Sequence, residues 1–195
     1  MKRIIQIQKT FILLTLIAAL IGFTGCANNQ KPEDPKKVAE EHNEAKFAAN
    51  KEKDAQFLVN AAELNLKEIR LSQLAQQVSK MSDVKELGKQ MEQAHAKSQE
   101  NLSDLAKRKL ITIPQSITEE AQGDYNKLVN KDLKSFDKEF CDMMVNGHKD
   151  ALSLFEKASK EASDDDIRTW AVNMLPDLRI HLDQAITVQK KCEKM

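Results

Sequence analysis

The sequence predicts an all-α domain, an up-and-down antiparallel four-helix bundle with a short extra helix in its central connection. Three observations predict it. Apolar residues recur in steps of three and four along four long stretches. The composition is rich in Lys, Glu, Ala, Leu and Gln, which are good helix formers, while aromatic residues make up only 5%. Beyond Cys26 only three glycines remain, Gly88, Gly123 and Gly147, and none is clustered. That scarcity also excludes the glycine-rich loops that cradle phosphates or dinucleotides.

The chain opens on a segment outside that bundle. Lys2, Arg3 and Lys9 lead into the apolar run Phe11 to Phe23, which is too short for a permanent transmembrane helix and has the layout of a secretory signal. It ends in Phe23-Thr24-Gly25-Cys26, which resembles a bacterial lipobox, where small residues precede a cysteine that is acylated and becomes the new N-terminus. Ala27 follows where an aspartate would imply retention in the inner membrane, so the resemblance implies outer-membrane sorting. The expected organisation is a signal peptide over 1–25, a lipidated Cys26 with a polar tether and marginal helix over 26–50, and the bundle over 51–195. Removing residues 1–25 takes three cations from the 30 Lys+Arg and none of the 30 Asp+Glu, leaving a net charge of −3. Bulk charge therefore argues against a nucleic-acid partner.

Each helix can be placed by its period. Asp54 is expected to cap the first, whose seam is Phe57, Ala61, Leu64, Glu68, Leu71, Ala75 and Val78. Ser82-Asp83 is expected to cap the second helix, with Glu86 placed to complete a capping box, and the second seam is Val84, Gly88, Met91, His95, Ser98, Leu102 and Leu105. The stretch Leu110 to Ser116 breaks the pattern, and Ser116 with Glu119 is expected to start the short extra helix. The third long helix begins near Lys131 with seam Asp137, Cys141, Met144, His148, Ala151, Phe155 and Ala158. Ser163-Asp164-Asp165-Asp166 caps the fourth, where carboxylates suit the positive helix end. Its seam is Ile167, Ala171, Met174, Leu178, His181, Ala185, Val188 and Cys192, with a kink expected at Pro176.

Four seam slots hold polar residues: Glu68, His95, His148 and His181. Burying such groups unpartnered costs several kcal/mol, so something must satisfy them. Counted from their turns, Glu68 and His95 differ in depth by one residue, about 1.5 Å, and His148 and His181 by three, about 4.5 Å. Each pair thus faces across its own hairpin, while the height of one hairpin against the other stays open. Two outcomes fit: a metal site for Zn, Cu, Ni or Fe, or a buried polar network of histidines, Glu68 and water. The layout resembles ferritin-like metal bundles, but a di-iron site needs Glu-x-x-His on two helices. Only Glu92-Gln93-Ala94-His95 has that spacing; Val145 and Leu178 stand at the matching places before His148 and His181.

The ordered set Glu68, Met91-x-x-x-His95, Phe136-Asp137, Met144-Val145-x-x-His148 and Leu175-Pro176-x-Leu178-x-x-His181 resembles the signature of the domain-of-unknown-function family 4142 over roughly residues 54–190. The resemblance implies a ferritin-like, outer-membrane protein. Ala94 departs from it, since the family often has an aspartate before this histidine. Lone Trp170 and Met91, Met144 and Met174 fit the core stripe, and His42 lies in the tether region. Cys141 and Cys192 fall near the same end of the bundle, with depths that differ by four residues, about 6 Å. They are either a disulfide or two buried thiols. The functional expectation is a non-catalytic, lipid-anchored structural or binding module; the alternatives are metal binding in the core and a metal-dependent redox enzyme. The membrane, reached through the lipid, is the one partner expected.

Overall fold

The computed structural model describes residues 32–194, so the expected signal peptide over 1–25 and Cys26 lie outside the described residues. It holds six helices, α1 (Pro35–Glu44), α2 (Ala49–Val78), α3 (Ser82–Lys109), α4 (Glu119–Val129), α5 (Leu133–Glu161) and α6 (Asp165–Cys192), and no strand among the described residues. Turns of three residues fold α2 onto α3 and α5 onto α6. The two hairpins meet through α2 against α5 and α3 against α6. Among the described residues no helix is long and apolar enough to cross a membrane.

Several helix starts differ from expectation, and each difference has a local cause. α2 begins at Ala49, five residues before Asp54. The Asp54 carboxylate does not cap its own helix. It accepts from the Ser163 backbone N–H and hydroxyl and from the Asp164 N–H, tying the α5–α6 turn to α2. At α3, Met81 is the N-cap and no side-chain cap bond forms, so the cap expected at Ser82-Asp83 and its box with Glu86 are absent. The Ser79 hydroxyl accepts from Met81 N–H instead, at 3.0 Å. α4 is capped by Thr118, whose hydroxyl accepts from Ala121 N–H, and not by Ser116. Asp164 caps α6 as expected, accepting from Asp166 and Ile167 N–H. α6 runs on through Pro176 without a break, although the ring removes one backbone donor from its interior.

The helix expected outside the bundle packs on it. Ala39 of α1 is buried in the core, Lys36 Nζ reaches Glu63 of α2 at 2.6 Å, and Asn43 pairs with both backbone groups of Thr112. The compact unit accordingly begins at Glu33. α3 ends on Leu110 in the left-handed region, with φ 58° and its side chain exposed. A glycine usually takes that place because Cβ crowds the carbonyl there.

The core is split along its length. One apolar cluster contains Phe57, Ala61, Leu102, Leu105, Ala151, Phe155, Leu175 and Leu178, with the rings of Phe57, Phe155 and half-buried Trp170 in mutual contact. The other contains Leu71, Leu74, Met91, Phe136, Phe140, Met144, Val145, Ala185 and Val188. In sequence, Glu68, His95, His148 and His181 each fall between the residues their helix gives to one cluster and those it gives to the other. They form a transverse polar layer, and the hairpins are docked in the register that brings all four to it.

Candidate metal centre

The layer places His95, His148 and His181 around one point. Ring centroids are 5.4 Å apart for His95 and His148, 5.8 Å for His95 and His181, and 5.5 Å for His148 and His181. One ring nitrogen from each lies within 4.8 Å of the others. His95 and His148 are buried and His181 is half-buried, so the cluster is covered on the α3 and α5 sides and nearest solvent at α6.

Two of the rings have their orientation and tautomer fixed from behind. Asn65 Nδ2 donates to Ser98 Oγ at 3.2 Å and Gln99 Oε1 at 3.3 Å, which makes Asn65 Oδ1 an acceptor. His95 Nδ1–H donates to that oxygen at 3.0 Å. His148 Nδ1–H donates to the Met144 carbonyl, one turn back on α5, at 2.8 Å. Both Nε2 atoms therefore carry bare lone pairs, and they face each other at 3.4 Å. Two lone pairs at that distance repel unless a cation lies between them. A proton is a poor candidate. Burial, reinforced by the neighbouring rings, holds His95 well below the ordinary imidazole range, and burial takes His148 down to about 4. Burial lowers His181 as well. Neutral imidazoles held by outer hydrogen bonds are the form in which histidine binds a metal. A tetrahedral ion about 2.05 Å from each nitrogen sets neighbouring ligands roughly 3.3–3.4 Å apart, the separation that His95 and His148 already have.

The fourth expected residue stands beside this group and outside it. Glu68 is buried at 1% exposure, and its Oε1 lies 3.9 Å from His148 Nδ1, the edge of the ring turned away from His95. Its Oε2 has no partner. Burial raises the carboxyl to about 8, so it is protonated at neutral pH. The backbone makes room for it at Gly147, where a Cβ would come within 2.6 Å of Oε1. Ser72 Oγ, one turn further along α2, and His181 Nδ1 and Gln184 Oε1 on α6 are also buried without partners.

The chain belongs to the family of the domain of unknown function DUF4142. The family's model matches residues 39–188, which span all four residues of the layer and start inside α1. No curated protein and no solved structure matches the chain. In this DUF4142 domain Glu92 does not turn toward His95's site: its carboxylate accepts from the side-chain amides of Gln73 and Gln76 at 2.8 and 2.6 Å. The sole Glu-x-x-His spacing of the sequence is thus spent on α2. Asn65 is the member of the site that the seam reading missed, because it flanks the apolar stripe; its position three residues before Glu68 on α2 is the signal that could have found it. His42 is exposed on α1, beside Thr112. Cys141 and Cys192 are buried free thiols with sulfurs 3.5 Å apart, and burial raises both above the ordinary thiol range.

Proposed function

We propose that this DUF4142 protein is a lipid-anchored protein of the bacterial outer membrane whose domain, an up-and-down four-helix bundle of the ferritin-like kind, is a non-catalytic module that binds one transition-metal ion. The ligands are His95, His148 and His181, and the observation that carries the reading is the pair of facing Nε2 atoms of His95 and His148, 3.4 Å apart. Three neutral imidazoles suit Zn, Cu, Ni or Fe, with affinity set by the metal. Glu68 supplies the compensating negative charge from beyond His148, since a cation lowers the pKa of a carboxyl near it. Burial of two of the three rings favours holding an ion over turning over a substrate. The anchor reading rests on the lipobox-like Phe23-Thr24-Gly25-Cys26.

Calorimetric titration of the tag-free chain tests the metal. One equivalent of at least one of these ions is expected to bind and to raise the melting temperature by mass action. His148→Gln should weaken binding sharply, while His42→Ala leaves it unchanged. Failure of all four ions to bind stoichiometrically refutes the metal and leaves a structural module with a buried polar network. For the anchor, Cys26→Ser should abolish lipid labelling and release the domain from the membrane fraction. Labelling that survives this change refutes the lipoprotein.

A further inference from the structure

A second cluster of metal-binding atoms lies at the end of the domain where α2 turns into α3 and α6 ends. There the Cys192 sulfur lies between two others from separate places in the chain. Cys141 Sγ of α5 is 3.5 Å from Cys192 Sγ, the last residue of α6, and Cys192 Sγ is 3.8 Å from Met81 Sδ, the N-cap of α3. We propose that Cys141, Cys192 and Met81 form a soft-metal site, a three-sulfur seat for a monovalent cation of the copper(I) class.

Two of the three separations fit: a centre about 2.3 Å from each sulfur holds its ligands roughly 3.8–4.0 Å apart, so the Cys141–Cys192 and Cys192–Met81 distances need only tenths of an ångström of adjustment, and the Met81 thioether on its flexible side chain completes the set. The ligand set selects the metal. A thioether is a poor donor for zinc, whose protein ligands are thiolate, imidazole and carboxylate, whereas thiolate with thioether suits copper(I). Asp137, one turn before Cys141 on α5, is buried at 4% exposure with its Oδ1 unpartnered, a further polar atom at this end of the core. On binding, the two S–H bonds break, two sulfur–copper bonds form, the Met81 thioether donates a lone pair, and two protons leave to solvent; no electron is transferred. The site is separate from the histidine trio, since Cys141 precedes His148 by seven residues, about 10 Å along α5.

The test uses the reduced full chain carrying Cys26→Ser, which removes the third thiol. It is titrated with copper(I), supplied as its acetonitrile complex, against a chromophoric copper(I) chelator, and the loaded protein is examined by X-ray absorption. Sulfur neighbours at about 2.3 Å are expected. Met81→Leu, which keeps the side-chain volume and so the fold, should weaken copper(I) binding at this site at least about ten-fold. Cys192→Ser should remove the sulfur signature, and His181→Ala should leave it intact even where it weakens the imidazole site. The proposal is overturned if copper has only nitrogen and oxygen neighbours or if Met81→Leu leaves the affinity unchanged. It is also overturned if the chain isolated from its native envelope carries an intact Cys141–Cys192 disulfide.

Discussion

Asn65 and Glu68 sit three residues apart on α2, both nearly free of solvent, and the structure treats them in opposite ways. Asn65 uses its whole side-chain amide: it donates to Ser98 and Gln99 and accepts from His95. Glu68 is held by almost nothing. One oxygen is 3.9 Å from a histidine whose proton is already given to a backbone carbonyl, and the other has no partner. An amide satisfied on all sides fixes a ring and stays neutral at every pH. A carboxyl left without donors in an apolar interior stores an electrostatic cost that is relieved only when it is protonated or when a cation arrives. The first residue builds the site's geometry and the second sets its charge.

The sharpest break of this comparison is Glu68→Gln in the metal-free protein. The carboxyl titrates near 8 when folded and near 4.5 when unfolded, so between those values the folded chain holds the extra proton. Stability from this group is full below about pH 4.5 and is lost as pH rises through 8. The glutamine variant lacks that loss. It should match the wild type near pH 4 and exceed it at pH 9 by on the order of a few kcal/mol, read by urea denaturation. The histidines have the opposite sign: His148, lowered to about 4, costs stability as pH falls from about 6.5 toward 4, and lowered His181 acts in the same direction, in both proteins alike. Parallel stability curves at pH 4 and pH 9 would show that Glu68 is not held as described.

Gly147→Ala attacks the same residue from the other side. The added methyl meets Glu68 Oε1, and the overpacking should cost about 1–3 kcal/mol. In a Glu68→Ala background most of that cost should vanish, which makes the coupling energy of the double-mutant cycle the measurement. An equal penalty in both backgrounds would place the clash elsewhere. On the satisfied side, Asn65→Leu removes the acceptor that orients His95. Metal affinity should fall about 10–100-fold by titration calorimetry. Binding unchanged by that substitution would detach Asn65 from the site.

Much of this layer is written in the seams and part of it is not. Glu68, His95, His148 and His181 stand out because each interrupts an apolar period, and hairpin lengths alone pair them in depth. The spacing leaves His148 and His181 about 4.5 Å apart along the axis, and the packed helices still bring their rings to 5.5 Å. The height of one hairpin against the other is a tertiary choice, made by the two apolar clusters closing on either side of the layer, and no local period encodes it. Asp54 shows the converse limit. A carboxylate ahead of an apolar run has the local look of a helix cap, yet its partners are Ser163 and Asp164, more than a hundred residues on. Asn65 escaped because a polar residue on the flank of a seam looks like a solvated one until its partners on α3 are known.

The smallest effect gives the finest test, because it compares two serines. Ser98 and Ser72 are both buried hydroxyls within one turn of the layer, but Ser98 Oγ accepts from Asn65 while Ser72 Oγ has no partner. A hydroxyl that loses water and gains nothing in return is a net cost to the fold, whereas one that is bonded contributes about 1 kcal/mol. Ser98→Ala should therefore destabilise by about 1 kcal/mol, because it leaves Asn65 Nδ2 with one acceptor fewer. Ser72→Ala should be neutral or stabilise by up to about 1 kcal/mol, since it removes only an uncompensated polar atom and keeps a good helix former in α2. Chemical denaturation of the two variants at one pH separates them, because the substitution is the same and only the partner differs. If Ser72→Ala costs as much as Ser98→Ala, the Ser72 hydroxyl has a partner in solution, and the contrast between the two sides of the layer narrows to Glu68 alone.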